Sequence, residues 1–254
     1  MLQVKNLKKY FGGVKAVDGC DFEVRKNTIT ALIGPNGSGK TTVFNTISGI
    51  LEEDGGKIIF DPSGALGASV VDITDMGPEK ISNLGVSRLF QQSRLFNNLT
   101  VKENLLLAVN NEDTKFWSAF VNTSADKRNK FDEKITEMLK LINMEKFENN
   151  IARDLSYGQK RLVEIIRTIL NPHKLLILDE PVAGVAPALR EKIAEILNDL
   201  KSKGDTVLLI EHDMNWTLNI ADDIIVMEKG KVIAQGNSQA IRSNPRVLEA
   251  YLGE

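Results

Sequence analysis

Two short stretches hold the residues with reactive chemistry. GPNGSGKTT, residues 34 to 42, places Gly34, Gly37 and Gly39 around Asn36 and Ser38, then sets Lys40 beside Thr41 and Thr42. Glycines let consecutive backbone N–H groups turn inward as an anion nest, a lysine adds a point charge for β- and γ-phosphates, and a threonine hydroxyl is a hard oxygen ligand for magnesium. The pattern G-x-x-x-x-G-K-[ST] therefore reads as a nucleoside-triphosphate site, with a triphosphate and Mg²⁺ as its expected occupants. Thr41 is an expected metal ligand, and Gly34 and Asn36 to Thr42 the expected phosphate contacts. The second stretch, LLILDEP at 175 to 181, ends an apolar run in two carboxylates. Asp179, at the end of a buried strand, is suited to hold the magnesium through water, and Glu180 to polarise the attacking water.

Such chemistry needs a strand before the glycine-rich loop and a helix after it. ITALIG, at 29 to 34, reads as a buried strand, and VFNTISGI, which follows the two threonines, has helical apolar spacing ending near Gly49. LQVKNL and CDFEV alternate as strands with one wet face, and KIIF and SVVDI, separated by Pro, Ser and Gly, predict a hairpin or loop between 54 and 79. From Thr100 the character changes. Thr100 stands three residues before Glu103 as in a capping box, and ENLLLAV, FDEKITEMLKLI and RLVEIIRTIL read as helices in a block from 100 to 170. Inside that block the polar run 110 to 130 carries Phe116, Trp117 and Phe120, either loop anchors or a partner-facing patch. Strand LLILDE, helix PALREKIAEILNDLKSKG and strand TVLLIEH then restore an α/β rhythm. IIVMEKGKVIAQG predicts a hairpin turning at Lys229 and Gly230, and LEAYLGE a short terminal helix.

Composition narrows the function classes. The chain has 254 residues, 42% apolar and 26% charged, with a formal net charge of −2, so it has material for a core but no basic field for sequence-independent nucleic-acid binding. A single cysteine, Cys20, cannot form an intramolecular disulfide and reads as a small buried apolar residue. The N-terminal MLQVKNLKKY lacks the apolar core of a secretion signal, which suggests a cytosolic chain. No apolar run approaches the roughly 18 residues of a membrane helix, so a membrane role is expected to come through a partner.

LSYGQKRLVEIIRTIL, at 155 to 170, shortly before LLILDEP, is similar to the LSGGQ-type signature of ABC ATPases, and the resemblance covers essentially the whole chain. It implies an α/β P-loop NTPase core, 1–90 and 171–254, with an antiparallel β subdomain and an inserted α-helical subdomain at 91–170. In that family two cassettes pair head to tail, so Ser156, Gly158 and Gln159 are implied to close over the γ-phosphate held by the opposite subunit. Gln91 in RLFQQSRLF resembles the glutamine that senses magnesium and links the helical subdomain to the core, with Gln92 the alternative one position on. His212 in IEHDM resembles the histidine that contacts the γ-phosphate, whereas His173 has no such context and reads as structural. Phe11 in KYFGG resembles the aromatic that stacks on adenine, with Tyr10 a substitute, and Val17 belongs to the same implied nucleotide-contacting set.

Two departures from the family pattern stand out. Tyr157 replaces the first glycine of the signature, as in the branched-chain amino-acid group. Ala186 in AGVAP stands where an Asn or Asp usually speaks across the dimer, which puts communication between the two sites in doubt. RLFQQSRLFNNLTVKENLLLA, YFGGVKAVDG and IRSNPRVLEAYLGE resemble the LivG-type ATPases of branched-chain amino-acid importers, although the hairpin at 61 to 75 looks longer than in that group. The implied partners are transmembrane permease subunits, a second ABC ATPase subunit and an extracytoplasmic solute-binding protein, with no nucleic acid. The implied place is the cytoplasmic face of the inner membrane, peripherally attached, with a groove near Gln92 to Leu99 passing motion to the permeases. Lipopolysaccharide-export ATPases share much of this pattern and a similar YLGE ending, but the RLFQQSRLF stretch favours import. A DNA- or ribosome-directed ABC ATPase is disfavoured by the single cassette and the lack of a heptad run or basic patch.

Overall fold

The computed structural model describes residues 1–63, 70–91, 94–109 and 125–252. Chain contacts divide it into two units: Met1–Arg88 with Lys174–Glu180 and Leu197–Glu254, and Leu89–His173 with Pro181–Ile196. Elements run in the order β1 (Leu2–Phe11), β2 (Val14–Val24), β3 (Ile29–Ile33), α1 (Lys40–Ile47), β4 (Gly55–Phe60), β5 (Val71–Asp72), α2 (Pro78–Asn83), β6 (Val86–Leu89), α3 (Val101–Val109), α4 (Ala125–Leu141), α5 (Tyr157–Leu170), β7 (Leu175–Asp179), α6 (Pro187–Ser202), β8 (Thr206–Ile210), α7 (Met214–Ile220), β9 (Asp223–Glu228), β10 (Lys231–Gly236), α8 (Ser238–Arg242) and α9 (Pro245–Leu252).

Two sheets organise the strands. An antiparallel sheet has the order β2-β1-β4-β5, and a six-stranded sheet the order β10-β9-β3-β8-β7-β6. In the second sheet β3 runs parallel to both β8 and β9, β7 runs parallel to β8, and β10 runs antiparallel to β9. β3, β7 and β8 are buried at every residue, which is why they read as largely apolar runs instead of alternating ones. Val43, Phe44 and Ile47 on α1 pack with Leu32, Ile177, Leu208, Ile225 and Met227 and with the antiparallel sheet's Leu2, Leu7 and Phe60 in one apolar cluster. That cluster holds the helix carrying Lys40 and Thr41 against the strands.

Cys20 belongs to the same cluster and is fully buried, as its composition suggested. Desolvation pushes its thiol up to about 12. Below its ordinary value near 9 the thiol is neutral whether the chain is folded or unfolded, so stability does not depend on this group there; between 9 and about 12 only the unfolded chain ionises, and stability falls as pH rises. Folded protein at pH 8 is therefore expected to resist iodoacetamide, with alkylation appearing only on unfolding, as mass spectrometry of treated protein would report.

The second unit is helical. The Thr100 backbone N–H and hydroxyl both donate to Glu103 Oε2, at 2.7 and 2.9 Å, and Glu103 N–H returns a bond to Thr100 Oγ1 at 3.2 Å, the capping box read in the sequence. The unit also takes Pro181–Ile196, which the sequence division gave to the core. The cause is local packing: a Cβ on Gly184, where φ is 70°, would stand 2.7 Å from the Tyr157 ring, so the turn after β7 lies directly on the start of α5. Four short elements, α2, β6, α7 and α8, were not read from the sequence. β6 hides because Ser87 and Arg88 interrupt its apolar run. The residues that lengthen the 61 to 75 hairpin fall largely at 64–69, outside the described residues, as do Gln92 and the aromatics Phe116, Trp117 and Phe120.

Candidate nucleotide-hydrolysis site

The glycine-rich loop leaves β3 in the middle of the six-stranded sheet. Two of its glycines are imposed by close backbone approach. A Cβ on Gly34 would stand 2.1 Å from the Met227 carbonyl oxygen, and one on Gly39 2.3 Å from that of Ala16. α1 then begins at Lys40 with no acidic residue in its first turn, so no carboxylate of its own offsets the positive end of its dipole. Asn36, Gly37 and Thr41 are exposed, whereas Ser38 and Lys40 are buried. The Lys40 ammonium donates to the carbonyls of Gly34 at 2.7 Å and Pro35 at 2.9 Å, drawing the loop around itself.

Register brings the carboxylates to this loop. Asp179 on β7 pairs with Ile210 on β8, and Ile210 pairs with Leu32 on β3, so the carboxyl ends of all three strands finish at one level. This is the edge at which open parallel sheets bind ligands. Asp179 is only 2% exposed, and its Oδ2 lies 3.7 Å from an Arg88 guanidinium nitrogen. Glu180 adopts the left-handed backbone region at φ 51°, uncommon for a residue with a side chain, while its N–H donates to Ile210 O at 2.9 Å. That turn directs its carboxylate to His212, whose Nε2 lies 3.1 Å from Glu180 Oε1. The sequence-predicted acid pair and histidine thus meet beside the phosphate loop. The Thr41 hydroxyl and Asp179 carboxylate are hard oxygen donors on elements of this unit, a set that fits Mg²⁺ shared with a triphosphate. Among the described residues no group of three or more His, Cys, Asp or Glu is assembled for a metal held by protein alone.

At the end of β1 the two candidate aromatics have different surroundings. The Tyr10 hydroxyl donates to Asp18 Oδ1 at 2.7 Å, and its backbone N–H donates to Asp54 Oδ2. The tyrosine hydroxyl holds the Asp18 carboxyl below the usual carboxylate range. Phe11 is 47% exposed with the Lys9 ammonium 5.7 Å from its ring centroid. Tyr10 is thereby committed to the hairpin, and Phe11 is the ring left presented. Val17, expected in the nucleotide-contacting set, has its side chain fully buried in the apolar cluster.

In the second unit, Ser156 caps α5. Its Oγ accepts from Gln159 N–H at 3.3 Å, and Gln159 Oε1 accepts from Ser156 N–H at 2.8 Å. Gly158 follows at the first turn, where a Cβ would come within 3.0 Å of Gly184 O. Gln91 is exposed, and the same helix grips the chain on both sides of it: Arg161 donates to Phe90 O at 2.6 Å, the Arg94 backbone N–H donates to Glu164 Oε1, and Arg167 donates to Arg94 O at 2.8 Å. Ala186 O accepts from Leu189 N–H at 2.9 Å, so the backbone at the atypical position opens α6. His173 Nδ1 lies 2.8 Å from Asn171 O, in keeping with a structural role.

Sequence reading missed two participants in the first unit. Arg88 gave only the signal of a charge inside an apolar strand. The terminal helix α9 gave none, yet Glu249 and Ala250 line a cavity of about 370 Å³ together with Pro35–Ser38 of the phosphate loop.

A phosphate loop at the centre of a parallel sheet, with an Asp-Glu strand end and a histidine at the same edge, defines a P-loop nucleoside triphosphatase. Residues 17–183 match the family model described as ABC transporter, and residues 231–254 match one described as branched-chain amino acid ATP-binding cassette transporter. The chain is 38% identical over 258 residues to the high-affinity branched-chain amino acid transport ATP-binding protein BraF of Pseudomonas aeruginosa, spanning 100% of this chain and 98% of that protein. A nucleotide-free ATP-binding cassette of an ABC transporter superposes with a TM-score of 0.81 at 37% identity, covering 100% and 99% of the two chains. A cassette solved as a dimer in a post-hydrolysis state with ADP and Pi superposes with a TM-score of 0.79 at 25% identity, covering 94% and 99%. The chain belongs to the ABC transporter ATP-binding cassette family, and it is an ATPase.

Proposed function

We propose that this cassette energises the import of branched-chain amino acids, acting as one of two paired ATPase subunits attached to membrane permeases at the cytoplasmic face. The observation that carries the hydrolytic reading is the Glu180–His212 pair at the sheet edge that also receives the phosphate loop. The substrate class rests on full-length similarity to a branched-chain amino acid transport subunit and on the matching C-terminal segment. Among the described residues no helix is long and apolar enough to cross a membrane, so attachment is assigned to partner subunits. Phe96, 54% exposed beside buried Leu95, offers an apolar contact in the stretch expected to meet them.

Phe11 stacks on adenine, Lys40 and the loop N–H groups hold the β- and γ-phosphates, and Thr41 and Asp179 would hold Mg²⁺, with Gln91 a further ligand by the family resemblance. The metal supplies charge neutralisation at the phosphate oxygens. Glu180 accepts the proton of the attacking water, and His212, in contact with that carboxylate, reaches the γ-phosphoryl oxygens. Ser156, Gly158 and Gln159 of a second cassette complete the site across the dimer, and a solute-binding protein delivers cargo to the permeases outside.

Phe11→Ala is expected to raise the Kd of a fluorescent ATP analogue about tenfold, within the roughly 1–3 kcal/mol carried by base–aromatic stacking. Tyr10→Leu, which breaks the Asp18 bond without removing the presented ring, is expected to have the smaller effect. Ser156→Ala removes the cap of α5, a loss of about 1 kcal/mol of helix stability. It is expected to slow ATP turnover while leaving ATP binding by the monomer unchanged; unaltered turnover would contradict the trans arrangement. The substrate class is tested by uptake of labelled leucine, isoleucine and valine in cells lacking the gene. All three are expected to fall together and to recover with the gene restored, whereas normal uptake of all three would overturn the assignment.

A further inference from the structure

Arg88 sits inside the first unit with its side chain only 6% exposed. Burying a guanidinium is costly unless its donors are matched, so what it meets is informative. One terminal nitrogen donates to Phe44 O at 2.9 Å and also to Ser48 Oγ. The other donates to Asn45 Oδ1 at 2.7 Å and lies 3.7 Å from Asp179 Oδ2. Its guanidinium carbon is 6.0 Å from the Phe44 ring centroid. Phe44, Asn45 and Ser48 form the last turn of α1 and its C-terminal cap. Helix ends leave carbonyls without intrahelical donors and carry the negative end of the dipole, so a cation is favoured there. Asn45 lies about one turn after Thr41 on the same face of the helix.

One planar side chain therefore joins the helix that carries the Thr41 hydroxyl to the strand that carries the Asp179 carboxylate. We infer that Arg88 is a positioning residue for the metal: it fixes α1 and Asp179 relative to each other so that two oxygen donors from separate elements stand ready for one divalent cation. A lysine could supply the charge but not the fork, since its ammonium is a single point on a flexible stem. Arg88 touches neither nucleotide nor metal in this role. The inference rests on Thr41 and Asp179 being the magnesium donors proposed above.

Mn²⁺ serves as the probe, with free Mn²⁺ counted by electron paramagnetic resonance in the presence of protein and the non-hydrolysable analogue AMP-PNP. Binding of a fluorescent ATP analogue in EDTA reports the integrity of the nucleotide site separately. Arg88→Met is expected to weaken Mn²⁺ binding by the protein–nucleotide complex about tenfold or more, the usual effect of losing a group that orients a metal ligand, while metal-free nucleotide affinity stays unchanged. Arg88→Lys, the variant to use if the methionine chain does not fold, is expected to show a smaller loss of the same kind. Unchanged Mn²⁺ affinity in a folded variant, or an equal loss of nucleotide affinity in EDTA, would overturn the inference and leave Arg88 a structural ion pair. If Mn²⁺ bound no more tightly to parent protein with AMP-PNP than to AMP-PNP alone, the magnesium reading itself would fall, a different result from a parent effect that the variants leave intact.

Discussion

Glu180→Gln is expected to lower ATP turnover by about 10²–10⁴-fold, the usual contribution of a general base, while nucleotide binding persists. The amide has nearly the shape of the carboxylate, so the left-handed turn at φ 51° and the contact with His212 Nε2 can be retained. What is lost is the proton acceptor. The substitution also removes a negative charge from the vicinity of the γ-phosphate, which favours the ATP-bound state. Because Ser156, Gly158 and Gln159 are proposed to close on ATP from a second copy, the variant is expected to accumulate as an ATP-bound dimer. Light scattering after gel filtration in ATP and Mg²⁺ would report it. Parent-like turnover would remove Glu180 from its role; an inactive variant that stayed monomeric at every ATP concentration would keep the base and reject the head-to-tail pairing.

Lys40→Ala is expected to cost nearly as much, through affinity as well as rate. Lys40 is buried and donates to the Gly34 and Pro35 carbonyls, so it both shapes the loop and brings the charge that faces the phosphates. Bonds to charged groups each contribute about 1.5–3 kcal/mol, and losing one preorganised donor to developing charge costs about 10²–10³ in rate. Titration with a fluorescent ATP analogue should show at least a tenfold weaker complex, with residual turnover near background. The fold should survive, since the loop glycines are held by backbone approach and α1 by its apolar face. A variant that bound ATP as the parent does would show that the backbone nest alone holds the phosphates.

The parts of this site that were legible in the sequence are those fixed by short spacing. A strand, a glycine turn, a lysine and a helix follow one another within residues 29 to 47, and each leaves its own local signal. The same is true of LLILDE, where an unbroken apolar run announces a strand buried on both faces. Contacts made across the fold left no such trace. The Tyr10 hydroxyl meets Asp18 across a hairpin, a contact that distinguishes the surroundings of two adjacent aromatics the sequence left open. Val17 shares a hairpin with them, but β2 turns its side chain into the core. Arg88 reaches helix residues 40 to 44 positions away, beyond any periodic pattern. Pro181–Ile196 falls in the core by the family resemblance, whereas chain contacts group it with the helical unit, where Gly184 sits against Tyr157. The left-handed backbone of Glu180 is likewise invisible in a sequence where no glycine marks it.

The most direct test of the central claim is to capture tagged Glu180→Gln protein from native membranes in ATP and Mg²⁺ and identify by mass spectrometry what accompanies it. The account predicts two integral-membrane permeases together with a second, related ATPase or a second copy of this chain. Recovery with soluble DNA-processing or ribosomal factors, and no permease, would contradict the transport assignment while leaving the ATP chemistry at the sheet edge in place.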